Sequence, residues 1–154
     1  KLGSGVMPLG RLLDAGVNVA LGTDGAASNN RLDILRELQT AALIHKGVNH
    51  DPSLVPAREL FALATRGGAL AQRREDCGRI GVGCRADLVL IDRSPLHNLP
   101  CYDDYAMLAY SAETADVRMT MVDGRILYRN GEYTSIDEER LRYDCRETFA
   151  HYFE

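Results

Sequence analysis

The rhythm of apolar positions changes several times along this chain, and each change marks an element. Val17, Val19, Ala20 and Leu21 are nearly continuous and partly β-branched, the pattern of a short inner strand covered on both faces. Ile34, Leu35, Leu38, Ala42 and Leu43 then recur at helical spacing, predicting a helix from about Arg31 to Lys46. Asn29, Asn30 and Asp33 sit at its start and Gly47 is its expected stop. Upstream, Pro8 in a first turn, Leu9, Leu12 and Leu13 on one face, and Gly16 as a terminator predict a shorter helix. Helix, strand and helix without a hairpin form the unit of a parallel sheet.

Val55-Pro56-Ala57-Arg58-Glu59 opens another helix, with Leu60, Leu63 and Ala64 as its buried stripe and Gly67 and Gly68 expected to interrupt it. The period then switches to that of strands. Ala86 to Ile91 reads as one strand, and Val117 to Val122 with Arg125 to Arg129 as a pair joined by Asp123-Gly124, a strong two-residue hairpin signal. Asn130-Gly131 is a second turn. Antiparallel strands belong to a different layer from the helix-strand unit, so a boundary is expected near residues 75–85. Ser135 followed by Glu138 reads as a capping box opening a last helix, whose stripe of Leu141, Cys145, Thr148, Phe149 and Tyr152 is expected to pack.

Composition narrows what this arrangement can be. With 154 residues, 45% hydrophobic and 26% charged, the chain is ordinary globular protein. A complete (β/α)₈ barrel needs roughly 200 residues or more. The sequence opens at Lys1 in a Gly-Ser loop, so it reads as the C-terminal part of something larger. A net charge of -4 argues against a nucleic-acid partner, which calls for a basic face. No apolar stretch approaches the ~20 residues of a membrane span. Cys77, Cys84, Cys101 and Cys145 are widely spaced, match no zinc-site spacing, and read as reduced thiols of a cytoplasmic protein.

Candidate chemistry collects where the first strand ends. Asp24 stands between the apolar run and the small-residue loop Gly25-Ala26-Ala27-Ser28. In parallel α/β barrels that face gathers the reacting side chains. An Asp-Gly pair is equally at home in a plain turn. Ser28, further along the loop, either faces a substrate or caps the following helix.

With Asp24 and this layout in hand, the chain resembles the metal-dependent amidohydrolase superfamily, in its cytosine/adenosine deaminase-like branch. The likeness is to the 5-methylthioadenosine/S-adenosylhomocysteine deaminases. It is carried by KLGSGVMPLGRLLDAGVNVALGTDGAASNN, LDILRELQTAALIHKG, GRIGVGCRADLVLID and VRMTMVDGRILYRNGEY, in family order. The resemblance implies an α/β fold: the C-terminal portion of a TIM (β/α)₈ barrel, then C-terminal strands of a small composite β-sandwich and a terminal helix. Residues 1–78 would be the last βα units, 79–134 the sandwich strands with a returning helical segment near 103–112, and 135–154 the helix.

It further implies that Asp24 is both a metal ligand and the catalytic proton shuttle, with Ser28 a substrate-binding candidate. The divalent metal would be zinc. The remaining ligands, a His-x-His pair and later histidines, would come from the missing N-terminal barrel portion, since His45, His50, His97 and His151 are poor substitutes. The expected substrate is a small 6-aminopurine nucleoside, and the complete enzyme is expected to be a cytoplasmic homo-oligomer. One departure is the compressed turn from Ile80 to Asp87, in the sandwich layer. The other zinc deaminase signature, H-x-E with P-C-x-x-C, is unmatched. Dechlorination or deamination of a triazine, deamination of an oxidised purine, and a purely structural role remain open alternatives.

Overall fold

The hydrophobic rhythm condenses into two compact units in the computed structural model, which describes residues 2–153. The first unit comprises Lys1–Arg85 and Asp92–Asp116, and is helical. Helix α1 (Leu9–Asp14) follows Pro8 and ends before Gly16, whose φ of +71° takes the left-handed conformation that suits glycine. Helix α2 (Ile34–Asn49) starts later than the periodicity predicts, because Asp33 caps it: its carboxylate accepts from Leu35 N at 3.1 Å and Arg36 N at 3.3 Å.

Gly47 does not stop this helix. It runs on to His50, which turns left-handed at φ +52°. The buried face is Leu35, Leu38, Ala42 and His45, while Ile34 and Leu43, expected inside, are 39% and 58% exposed. Packed on this face is α5 (Asp104–Tyr110), capped by Asp103, together with α3 (Ala57–Ala62). Leu38 and Leu60 are the largest fully buried side chains, and Phe61 meets Tyr105 edge to face at 5.6 Å.

The glycines expected to break the third helix do not. After α3 the backbone widens into a π turn over Leu63–Gly67 and continues as α4 (Gly68–Ala71). Gly67 is needed instead for a close approach. A Cβ on Gly67 would lie 2.4 Å from the Val19 carbonyl oxygen, so that position admits only hydrogen. Against this helix lies the segment predicted as the inner strand. Val17 to Leu21 forms no strand ladder among the described residues; instead Leu21 N donates to Leu63 O at 3.2 Å and Asn18 Nδ2 to Gly67 O at 3.1 Å. A strand exists through its neighbours, and every strand among the described residues lies in the other unit.

That unit, Ala86–Ile91 with Val117–Glu154, is a four-stranded antiparallel sheet and a helix. Strands β1 (Leu88–Ile91), β2 (Val117–Val122), β3 (Arg125–Arg129) and β4 (Glu132–Tyr133) pair in sequence order, with Val89 opposite Thr120 and Thr120 opposite Tyr128. Asp123 and Gly124 both have positive φ, +51° and +77°, as a two-residue hairpin of the primed type requires. Asn130 and Gly131 repeat the device. Helix α6 (Glu138–Phe153) is capped by Asp137, whose carboxylate accepts from Arg140 N at 3.0 Å; the expected Ser135–Glu138 box does not form, and Glu138 instead pairs with Arg142. Nor is its stripe packed: Leu141, Phe149 and Tyr152 are 50%, 65% and 74% exposed.

Between β1 and β2 the chain leaves the sheet for residues 92–116. Asp92 N donates to Asp116 O at 2.8 Å, closing that excursion at its base. The Asp116 carboxylate is buried and accepts from Asn98 Nδ2 at 3.0 Å, Glu113 N at 2.9 Å and His97 Nε2 at 2.9 Å.

Candidate active-site loop

Asp24 lies on an exposed loop, itself in the left-handed region at φ +59°, a conformation that aspartate tolerates better than most residues. Its own neighbour orients it: Gly25 N donates to Asp24 Oδ1 at 2.7 Å. The Thr23 hydroxyl donates to the Asp24 carbonyl at 3.1 Å. Downstream, the Gly25 carbonyl accepts from Ser28 N at 3.1 Å, Asn29 N at 2.9 Å and Ser28 Oγ at 3.0 Å. The loop is thereby wound into a tight turn around one carbonyl. The Ser28 hydroxyl first, its one proton shared between the Gly25 carbonyl and the Asp24 carboxylate, and the Gly25 N–H second, hold the Asp24 carboxyl below the usual carboxylate range.

Ser28 does not cap α2, because Asp33 has that role. The serine hydroxyl belongs to the Asp24 turn. Asn29 has both ends of its amide in use: Oδ1 accepts from Arg31 N at 3.0 Å, and Nδ2 donates to Glu37 Oε1 at 2.7 Å. Glu37 has no part in the sequence-level picture of the site. Its only local signal is being the acidic residue in α2's first turn.

The histidines stand apart from this loop in role. His45 is buried on α2 and its Nδ1 has no hydrogen-bond partner; burial alone pushes its pKa down. His50 ends α2. His97 is raised, first by its bond to Asp116. Among the described residues no group of three or more His, Cys, Asp or Glu side chains could hold a metal ion. A catalytic zinc site takes three or more protein ligands. Asp24 fits as one contributor to such a site, and the described residues do not complete it. None of the four cysteines is in a disulfide among the described residues. A separate cleft of about 330 Å³ beside the start of α2 is lined by Arg31, Arg36, Tyr110 and Glu113, among others, and does not include Asp24.

The model of the amidohydrolase family matches residues 1–127. The chain is 44% identical over 146 residues to a 5'-deoxyadenosine deaminase of Methanosarcina acetivorans, covering 95% of this chain and 34% of the relative. It is 45% identical over 148 residues to a 5-methylthioadenosine/S-adenosylhomocysteine deaminase of Acetivibrio thermocellus, covering 96% and 34%. Among solved structures, an adenosine deaminase from Xanthomonas campestris with bound zinc superposes with a TM-score of 0.92 at 38% identity, covering 96% of this chain and 34% of that one. Atrazine chlorohydrolase TrzN from Arthrobacter aurescens, complexed with zinc, gives 0.86 at 30% identity over 93% and 32%. These likenesses cover the Asp24 turn as well as the sheet, and the chain belongs to the amidohydrolase family. It spans about a third of the length of the curated relatives it matches.

Proposed function

We propose that these residues are the C-terminal third of a metal-dependent deaminase that releases ammonia from a 6-aminopurine nucleoside of the 5'-deoxyadenosine, methylthioadenosine or S-adenosylhomocysteine type. Residues 1–78 would then supply the last βα units of a (β/α)₈ barrel, residues 79–134 strands of a composite sandwich with a returning helical segment near 103–112, and residues 135–154 its terminal helix. The observation that carries the reading is the Asp24 turn: an exposed carboxylate with one oxygen fixed by Gly25 N, in a chain 44–45% identical to deaminases.

A divalent cation, zinc in this reading, would be held by Asp24 with histidines contributed from outside these residues, and would bring a bound water toward neutral pKa. Asp24 does the rest. Its carboxylate, with Oδ1 oriented by Gly25 N, takes a proton from the attacking water and returns it to the departing amine nitrogen. The small residues Gly25, Ala26 and Ala27 leave room beside the carboxylate for a planar ring, and Ser28 is the side chain in reach of both. The working enzyme would be a cytoplasmic homo-oligomer acting on a small molecule; no described helix is long and apolar enough to cross a membrane.

The test uses the longer protein that contains these residues, supplied with zinc. Ammonia release should be faster from methylthioadenosine or 5'-deoxyadenosine than from adenine or a chlorotriazine. Asp24→Asn should keep the fold and lose at least ~10²-fold in turnover; near-wild-type turnover would remove Asp24 from the chemistry. The superposition on atrazine chlorohydrolase favours a second reading, chloride release from a triazine. Chloride release exceeding deamination tenfold would establish it, with Asp24 in the same role.

A further inference from the structure

We infer that Glu37 is a positioning residue for Asp24, an inference that rests on the role proposed for Asp24 above. A chain of hydrogen bonds links the two residues. Asp24 Oδ1 is fixed by Gly25 N, and Gly25 is in turn fixed through its carbonyl by Ser28 and Asn29. Gly25 and Ala26 offer at most a methyl group for packing, so the polar bonds of the turn matter to its shape. Asn29 ties the turn to a rigid element. Its Nδ2 donates to Glu37 Oε1 at 2.7 Å, a short, charge-assisted, partly buried bond.

Glu37 is itself well placed to be immobile. It lies in the first turn of a sixteen-residue helix, where a negative charge complements the helix dipole, and its backbone N–H donates to Asp33 O at 3.1 Å. Leu35 and Leu38, in the same turn of the helix, are buried. The carboxylate of Asp24 is thus referred, through Gly25 and Asn29, to the packed core of α2. Proton transfer is sensitive to displacements of an ångström or less. Removing Glu37 would release the turn while leaving α2 held by Asp33 and its apolar face.

The experiment is a double-mutant cycle in the longer, zinc-supplied protein, with methylthioadenosine as substrate and hydrogen–deuterium exchange as a second readout. Glu37→Ala should lower kcat tenfold or more with KM changed less than about twofold. Glu37→Gln, which keeps an oxygen for Asn29 Nδ2, should stay within about threefold of wild type. In the Asp24→Asn background Glu37→Ala should add no further loss, since a residue acting only through Asp24 has nothing left to position. Exchange over residues 25–30 should quicken in Glu37→Ala and not in Glu37→Gln, with residues 38–49 unchanged. If Glu37→Ala does not fold, Asn29→Ala removes the same bond from the other side and is held to the same outcomes. The inference is overturned if Asp24→Asn is crippled while Glu37→Ala turns over normally, or if the two losses multiply. Should Asp24→Asn turn over normally, the role of Asp24 falls and the inference falls with it.

Discussion

At the scale of single residues, two histidines respond to pH in opposite directions. His45 is lowered by burial, so below about 6.5 the unfolded chain takes up a proton that the folded one refuses, and stability is lost as pH falls. His97 is raised by Asp116, so its contribution is complete below that same value and is lost as pH rises through its folded pKa. The Asp116 carboxyl is pushed up by burial, but the Glu113 N–H, His97 and Asn98 outweigh this and lower it; its share is therefore lost only in acid, as pH falls through its folded value. His45 also carries a cost at every pH through its unpartnered Nδ1. Replacing it with methionine should raise stability by about 1 kcal/mol near pH 8 and by more near pH 5.5, read from urea midpoints at both. A smaller gain at pH 5.5 than at pH 8 would mean that His45 is protonated in the fold. Nothing in the sequence announced this histidine as interior: the periodicity favoured Leu43, and only the arrival of α5 and α3 decides which stripe of α2 is covered.

Elements carry the next level of argument, and adjacent glycines make the sharpest case. Gly67→Ala puts a methyl group 2.4 Å from the Val19 carbonyl oxygen, against backbone that cannot rotate away. It should cost about 2 kcal/mol, in the range of overpacked sites. Gly68→Ala meets nothing within 4 Å and has helical φ of -61°, so it should stabilise by about 0.5–1 kcal/mol. Thermal melts of the two variants should move in opposite directions. From sequence the pair looked like a break, because a glycine needed for close approach and one merely tolerated are the same letter. The hairpins were legible for the converse reason. Asp123-Gly124 and Asn130-Gly131 are set by their own φ values, whereas the segment Val17 to Leu21 needs ladder partners that local pattern cannot supply. The Asp24 turn was visible in its letters, and its tie to Glu37 was not, since Asn29 and Glu37 meet only once the loop has folded back on the helix.

For the molecule as a whole, exposure is the telling quantity. Leu32, Leu43, Val48, Ile80 and Val82 are large apolar side chains that are more than half exposed, as are Phe149 and Tyr152 on α6. Soluble proteins rarely leave so much apolar surface to water without a use for it. Produced alone, the 154 residues should therefore self-associate, with light scattering giving a mass well above 17.0 kDa. They should also fail to retain zinc through desalting, because the described residues assemble no cluster of metal-binding side chains. A monodisperse monomer carrying one equivalent of zinc would contradict both the exposed surface and the proposed division of ligands.

The closure of residues 92–116 has a consequence for how the protein can vary. Ile91 pairs with Val117, so to the sheet β1 and β2 are consecutive strands of a meander, and the helical excursion is an insert in what would otherwise be a hairpin loop. Because the Asp92–Asp116 bond fastens its base, the exposed turns inside that base can lengthen or shorten without shifting the register of Val89 against Thr120. Residues 92–116 are in this sense a cassette. Its exposed turns can be rewritten while the strands on either side keep their partners, and α5 itself stays fixed by its packing on α2 and α3.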